Sequence, residues 1–188
     1  MYLGMPLDNS CTDIDKELIV RCTKYDRKAQ RELYERYSSR MYSLCLRYSK
    51  DKESAKDVLQ DGFVTVFTKI GTYKGIGAFE GWMRRIFVNT ALMRLRKADI
   101  FNDIEDISYK AASDEDIAGD VGGKEIMKIV SSMPAGFRTV FNMSVVEGYS
   151  HREIAGMLGI TEGASRSQLS RARLWLQKRL SELNMTVE

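Results

Sequence analysis

Proline is scarce in this chain, with two residues among 188, and long apolar runs are missing. Because so little proline interrupts helices and 44% of the residues are hydrophobic, the composition favours an all-α protein with packed cores. No apolar run approaches the roughly 18 residues that a membrane span requires, and the opening MYLGMPLDNS lacks the basic-then-apolar order of a signal peptide. We therefore expect a cytoplasmic protein without direct membrane insertion.

Cysteine and histidine are also few. The cysteines Cys11, Cys22 and Cys45 form no CxxC pair, and His151 is the only histidine. Disulfide frameworks and zinc sites need several such residues at close spacing. We therefore expect no metal, no cofactor and reduced thiols, with Cys11 in the N-terminal tail as the one thiol to test for redox sensing.

The charges are distributed unevenly. Residues 99–120 hold eight acids and one base, a charge of −7, so a whole-chain charge of +3 leaves +10 on the other residues. This bias favours a polyanionic partner, although a solvated surface without a partner would carry the same charge. The acidic stretch has few large apolar residues, which is typical of a flexible tether. We predict two small helical bundles and a connecting flexible linker: a tail over 1–12, a bundle over 13–98, the linker over 99–121 and a bundle over 122–188.

Apolar residues of the first bundle recur at helical spacing. One helix would bury Leu33, Tyr37, Met41, Leu44 and Tyr48. A second, capped by Asp51 or Ser54 and ended by Gly71, would face inward with Ala55, Val58, Leu59, Phe63, Val66, Phe67 and Ile70. A third would place Phe79, Trp82, Ile86 and Met93 on its inner side.

A glycine-rich segment, GTYKGIGAFEG, separates the second and third of these helices. Its four glycines within residues 71–81 predict a loop. The aromatics Tyr73, Phe79 and Trp82 lie in or beside it, and residues 84–98 hold five bases and no acid. Aromatic rings stack on unpaired bases while arginine and lysine hold the backbone, so this mixture indicates single-stranded nucleic acid. Core packing by Phe79 and Trp82 is the alternative, and it is the favoured interpretation for Trp82 taken alone, since aromatics at helical spacing usually pack inward.

The segment YSHREIAGMLGITEGASRSQLSRAR matches the helix-turn-helix plan. Ala155 lets the two helices cross closely, Gly159 permits a left-handed turn, and Thr161 can cap the second helix. The second helix would read duplex DNA, with Arg166 and Gln168 as the expected base readers. A helical hairpin with a solvated cationic face would explain the charge but not this spacing.

Both halves resemble the extracytoplasmic-function (ECF) sigma factors of bacterial RNA polymerase, over about residues 25–182. The front half resembles their region 2 in RELYERYSSRMYSLCLRY, ESAKDVLQDGFVTVFTKI and FEGWMRRIFVNTALMRLRK, and the back half resembles their region 4. Three positions depart from the family pattern: Met93, where an acid is common, and Ala164 and Ser165, where a Thr-Val pair is common. A hydroxyl at an inward position can change how the reader helix sits, so the promoter sequence does not transfer.

The resemblance implies three binding surfaces. Core polymerase would dock on Asp57, Gln60, Asp61 and Phe63. The melted minus-ten element would meet Tyr73, Lys74, Phe79, Trp82, Arg84, Arg85, Asn89, Arg94, Arg96 and Lys97. The duplex minus-thirty-five element would meet His151, Arg152, Thr161, Glu162, Ser165, Arg166, Ser167, Gln168, Arg171 and Arg173. The family usually also has an anti-sigma partner.

Other function classes explain less of the sequence. An autonomous helix-turn-helix regulator is the alternative, but it leaves the aromatic and basic residues of the first bundle without a role. Catalysis on nucleic acid needs paired carboxylates or an activated nucleophile, and the acids here are scattered. The glycines follow a helix and match no phosphate-binding loop. We expect a protein that is not an enzyme and takes no small-molecule substrate.

Overall fold

The computed structural model describes residues 13–97 and 129–184, which form helices and turns without a β-strand. The all-α prediction is confirmed. The chain divides into two compact units, Met1–Ala91 and Leu92–Glu188. The division falls inside a helix, so the predicted bundle boundary near residue 98 stays a prediction. The predicted tail with Cys11 and the predicted linker lie outside the described residues.

The first unit is built from long helices connected by short turns. They are α1 (Asp13–Thr23), α2 (Arg27–Tyr48), α3 (Lys52–Lys69), a 3₁₀ turn (Ile70–Thr72) and α4 (Phe79–Lys97). The division between the units lies within α4, after Ala91. Helix α3 ends at Lys69, and Gly71, which we predicted to end it, lies inside the 3₁₀ turn.

Aspartates cap the starts of α2 and α3. The Asp26 carboxylate accepts hydrogen bonds from the backbone N–H groups of Lys28 and Ala29, and the Asp51 carboxylate accepts one from Ser54. A side-chain hydrogen bond from Arg21 holds the pKa of Asp26 below its usual value, and the Ser54 N–H does the same for Asp51. These bonds satisfy donors that the first helical turn leaves unpaired, so the predicted Asp51 cap is confirmed.

The core of the first unit agrees with the predicted pattern for α2 and in part for α3. All five apolar residues predicted for α2 are buried. Of those predicted for α3, Leu59 and Phe67 are half-buried and the others are buried. A polar contact also lies at the α1–α2 interface. Buried Asp15 accepts hydrogen bonds from Tyr37 Oη and from Arg36, and these bonds connect α1 to α2.

The predicted inner side of α4 is confirmed for Phe79, which is buried, and is wrong for Met93. Met93 is 62% exposed, and Trp82 and Ile86 are half-buried. Helix α4 carries apolar residues on several of its sides, so their spacing alone does not decide which side packs against the core. The fully enclosed side chains, apart from Phe79, are ones the sequence did not single out: Met83, Phe87, Val88, Ala91 and Leu92.

Helices α3 and α4 pack closely because α3 carries a glycine at the contact. A Cβ placed on Gly62 would lie 2.2 Å from a ring carbon of Phe87, and that ring is fully buried. Phe87 also packs edge-on against Phe63 of α3, with ring centroids 5.2 Å apart. The missing side chain at Gly62 therefore makes room for the Phe87 ring.

The second unit contains the helix-turn-helix. After a helical turn at residues 129–131, its elements are α5 (Ala135–Phe141), a π-helical turn (Asn142–Val146), α6 (His151–Leu158) and α7 (Glu162–Asn184). Pro134 precedes α5, and Gly148 takes a left-handed φ of 77° after the π-helical turn. The core joins Val130, Met133 and Ala172, with Phe137, Phe141, Trp175 and Leu176 packed against it.

Cys22 and Cys45 are buried in the first unit. Burial raises the pKa of the Cys22 thiol to about 11 and that of Cys45 to about 12. Because the thiolate is the reactive form of cysteine, both thiols are held in an unreactive state at neutral pH.

Replacing Gly62 with alanine tests the packing of α3 on α4. We expect Gly62→Ala to lower the free energy of unfolding of the first unit by about 1–3 kcal/mol, because the Phe87 ring must move. The control is Gly81→Ala in α4, where a Cβ would meet no atom of the described residues within 4 Å; helix propensity should make it neutral or stabilising. Urea unfolding followed by Trp82 fluorescence in a Trp175→Phe background measures both. Equal stabilities would contradict the close contact.

Candidate nucleic-acid interface

The loop before α4 is held in a bent shape by two glycines and one tyrosine. Gly75 and Gly77 have φ values of 72° and 74°, in the left-handed region that favours glycine. Tyr73 Oη donates a hydrogen bond of 2.6 Å to the Gly77 carbonyl oxygen and so closes the loop. Between the glycines, Ile76 is 82% exposed. The loop thus presents an apolar tip to solvent on a fixed backbone.

Three aromatic rings support the base of this loop. The ring centroids of Tyr73 and Phe79 are 5.1 Å apart, those of Phe79 and Trp82 are 5.4 Å apart, and those of Tyr73 and Trp82 are 5.7 Å apart. Phe79 is buried, while Tyr73 and Trp82 keep part of their surface in solvent. Phe79 therefore anchors the cluster from inside, and Tyr73 and Trp82 are the two rings that a ligand could reach.

The bases on α4 lie on more than one side of the helix. Arg85 and Asn89, one turn apart, are both exposed, and Arg96 is exposed two turns further on. Arg84 and Arg94 are half-buried, and the side chain of Lys97 lies outside the described part of the chain. Lys74, in the loop, is exposed as well. Arg85, Asn89 and Arg96 fall within one narrow stripe of the helix.

The outer face of α3 carries the residues expected to meet polymerase, with one exception. Asp57, Gln60 and Asp61 are exposed and lie at helical spacing on one face. Val64 continues this face and is 61% exposed. Phe63 points the other way and is buried against Tyr34, Phe67 and Phe87. Its burial argues against direct contact with a partner.

The helix-turn-helix has the turn and the cap that its sequence predicts. Gly159 ends α6 with a φ of 72°, and Thr161 Oγ1 accepts a hydrogen bond of 3.0 Å from the Ala164 N–H at the start of α7. Helix α6 begins with a reciprocal cap in which Ser150 and Glu153 each bond the other's backbone N–H. Helix α6 is therefore capped at both ends, and α7 is capped at its start.

The reader helix α7 turns Ser165 and Gln168 inward. Ser165 is fully buried and Gln168 is 6% exposed, so neither side chain faces a DNA groove. The Gln168 Oε1 atom has no hydrogen-bond partner among the described residues. This burial argues against Gln168 as a base reader. The exposed members of the predicted set are Arg152, Thr161, Glu162, Arg166, Ser167, Arg171 and Arg173.

His151 and Ser165 join the two helices of the motif. His151 Nδ1 and Ser165 Oγ share a hydrogen bond of 2.9 Å across the α6–α7 contact. His151 is half-buried by this contact. Among the described residues, no group of three or more His, Cys, Asp and Glu side chains could hold a metal ion, and no helix is long and apolar enough to cross a bilayer.

Comparison with known proteins matches both units to one family. The sigma-70 region 2 model matches residues 33–100, and the sigma-70 region 4 model matches residues 123–176. The ECF sigma factor SigE of Mycolicibacterium smegmatis is 30% identical over 158 residues, covering 80% of this chain and 61% of SigE. The ECF sigma factor SigM of Mycobacterium tuberculosis is 29% identical over 178 residues, covering 92% of this chain and 88% of SigM.

The chain belongs to the ECF sigma factors of RNA polymerase. Both matched models are sigma-70 regions, which an autonomous regulator does not account for. Among solved structures, the sigma factor RpoE of Bartonella quintana, in complex with the anti-sigma factor NepR, matches with a TM-score of 0.51 and 20% identity, covering 80% of this chain and 96% of that chain. That likeness shows the shared fold. Proteins of this family are subunits of RNA polymerase that direct it to promoters.

Several contacts of this sigma factor were not predicted from the sequence. The Tyr73–Gly77 and His151–Ser165 hydrogen bonds join residues that no spacing rule pairs. An ion pair between Arg40 and Glu80 brings α2 to the start of α4. The sequence does contain a signal for the Arg40–Glu80 ion pair. Residues 36–50, in α2 and the turn after it, hold four bases and no acid, so their ion-pair partners have to come from elsewhere in the chain.

The His151–Ser165 bond can be tested by mutating the buried serine. We expect Ser165→Ala to lower the free energy of unfolding of the second unit by about 0.5–1.5 kcal/mol, the usual net value of one hydrogen bond. Ser167→Ala, at an exposed site on the same helix, is the matched control and should stay within about 0.5 kcal/mol. Trp175 fluorescence in a Trp82→Phe background reports the transition. An unchanged stability for both would show that the bond contributes nothing.

Proposed function

We propose that this sigma factor divides promoter recognition between its two units. In this proposal residues 13–98 form region 2, which binds core polymerase and the melted minus-ten element. Residues 122–188 form region 4, which reads the minus-thirty-five duplex, and residues 99–121 connect the two. The observation that carries the proposal is the aromatic cluster of Tyr73 and Trp82 beside a loop bent by two left-handed glycines and followed by a basic helix.

The chemistry of the first unit suits a separated strand. Tyr73 and Trp82 offer partly exposed ring faces on which an unpaired base can stack. The loop backbone is fixed by the Tyr73 hydrogen bond, so little order has to be gained when a flipped base enters. Arg85 and Arg96 would then hold phosphates, and Asn89 between them would contact a base edge. A duplex would hide the base faces that this surface is built to meet.

The second unit would dock on duplex DNA through α7. Its early turns expose Glu162, Arg166 and Ser167, which can enter a major groove. Arg171 and Arg173 follow on later turns and would bind phosphates. Arg166 is held by an ion pair of 3.3 Å with Glu162, which limits its freedom before binding. With Gln168 buried, Arg166 is the strongest candidate for direct base reading.

The exposed face of α3 would bind the core enzyme. Asp57, Gln60 and Asp61 provide carboxylate and amide groups around the exposed apolar side chain of Val64. Such a face fits a partner helix that offers bases around an apolar centre. The polymerase then supplies the catalytic chemistry, and the sigma factor acts in the cytoplasm as a subunit that is not itself an enzyme.

An anti-sigma factor is the further partner that we propose. The RpoE structure of Bartonella quintana contains one, NepR. An inhibitor of this chain would act by covering the α3 face or the reader helix.

Transcription with purified core polymerase tests the proposed function. We expect discrete run-off transcripts from genomic fragments only when the sigma factor and core enzyme are both present. Asp57→Ala combined with Gln60→Ala should abolish core binding and transcription, because both lie on the proposed docking face. Glu35→Ala, which removes an exposed carboxylate from α2, is the control and should bind core enzyme normally. If the double variant binds core enzyme as tightly as the native chain, the α3 assignment is wrong.

Replacement of Arg166 tests the reading helix. We expect Arg166→Ala to weaken binding to the preferred minus-thirty-five duplex by about 1–3 kcal/mol and to relax its preference at one base pair. Arg179→Ala is the control, since Arg179 lies on the same helix, also paired to a glutamate, about three and a half turns further on. Binding is measured with the preferred duplex and with a scrambled one. Equal losses on both would indicate a phosphate contact.

A further inference from the structure

A second basic surface lies on α2, next to the proposed minus-ten interface. Arg40, Ser43 and Arg47 fall within a narrow stripe of this helix, which we name the α2 track. The Arg40 side chain is 65% exposed, Ser43 is exposed and Arg47 is half-buried. Residues 36–50 contain four bases and no acid.

Glu80 connects the α2 track to α4. One of its carboxylate oxygens lies 2.7 Å from Arg40, and the other lies 3.8 Å from Arg84, a residue of the proposed minus-ten interface. Two guanidinium groups are thus held side by side by one carboxylate, which leaves a net positive charge at the junction. The edge-on packing of Tyr37 against Phe79, at 6.0 Å, fixes α2 against the start of α4. The basic surface is therefore continuous from one helix to the other.

We propose that the α2 track binds the phosphodiester backbone of the melted strand and extends the minus-ten interface onto α2. Arg40 and Arg47 are spaced by about two helical turns, which is about 10 Å along the helix. That length corresponds to a few nucleotides of backbone. Ser43 lies between them and donates its hydroxyl to the Ser39 carbonyl oxygen, so the two arginines supply the charge of the track. The track carries no exposed aromatic residue of its own among the described residues, so it would hold the backbone without selecting bases.

This inference rests on the proposed function of the first unit, and the test separates the two. The native chain and its variants are bound to core polymerase and titrated with a labelled pool of single-stranded oligonucleotides of random sequence at several salt concentrations. Each phosphate contact to a single strand contributes about 0.7 to the slope of log affinity against log salt. We expect Arg40→Gln and Arg47→Gln each to reduce the slope by about 0.7, and Arg40→Lys to retain it.

A matched control comes from the opposite side of the same helix. Arg31 lies nine residues before Arg40, or two and a half turns, and pairs with Glu35 at 2.8 Å just as Arg40 pairs with Glu80. Arg31→Gln therefore removes the same charge and one ion pair but should leave the salt slope unchanged. A slope that falls equally for Arg31→Gln and Arg40→Gln would show a general charge effect and overturn the inference.

Glu80→Gln separates DNA binding from stability. It breaks the same ion pair as Arg40→Gln but leaves the arginine charge in place. We expect Glu80→Gln to tighten single-strand binding and Arg40→Gln to weaken it, with thermal unfolding confirming that both are folded. If both variants weaken binding to the same extent, the pair acts only through the fold and the inference fails.

Two further outcomes are decisive. If Arg85→Gln lowers the salt slope while the Arg40 and Arg47 variants match the native chain, the α2 track fails and the minus-ten interface stands. If none of the three changes the slope, the minus-ten interface fails as well. Poly-L-glutamate serves as a second probe, because an acidic protein could use the same charges. A loss of poly-L-glutamate binding with unchanged oligonucleotide binding would overturn the assignment to nucleic acid.

Discussion

The contact between Gly62 and Phe87 determines how the first unit presents its surfaces. It lets α3 and α4 approach closely, with Phe63 and Phe87 filling the space between them. The outer face of α3 carries carboxylates and an amide, and the outer face of α4 carries arginines and an asparagine. A protein partner and a nucleic acid can thus be bound on two faces of one rigid helix pair. Movement of one helix against the other would change the relative position of the two surfaces.

Phe79 links this helix pair to the loop. Its buried ring contacts Tyr37 of α2, Tyr73 of the loop and Trp82 of α4. A ring that is enclosed in this way can adopt few rotamers, and its fixed position restricts the rings that pack against it. The loop can then expose Ile76 without collapsing onto the core, because the Tyr73 hydrogen bond and two left-handed glycines hold its backbone. The packed core beneath the loop therefore helps to fix the conformation of its backbone.

The parts that could be predicted from the sequence are those in which one local rule decides the outcome. Helix α2 has a single apolar side, so its buried residues follow from their spacing alone. The roles of Asp51, Gly159 and Thr161 follow from the chemistry of helix caps and turns. Helix α4 is apolar on several sides, so only its neighbours decide that Met83 and Phe87 pack inward while Met93 faces solvent. Contacts between distant residues, such as Arg40 with Glu80, need the fold itself.

The reader helix shows why a polar residue on a DNA-binding helix need not read DNA. Serine and glutamine at positions 165 and 168 both carry hydrogen-bonding groups that suit bases, yet both are buried. Ser165 uses its hydroxyl on His151, so a directional bond as well as apolar packing sets the rotation of α7 on α6. That rotation decides which side chains of α7 face outward. A serine at this inward position therefore helps to set the direction in which Arg166 faces, through a contact inside the protein.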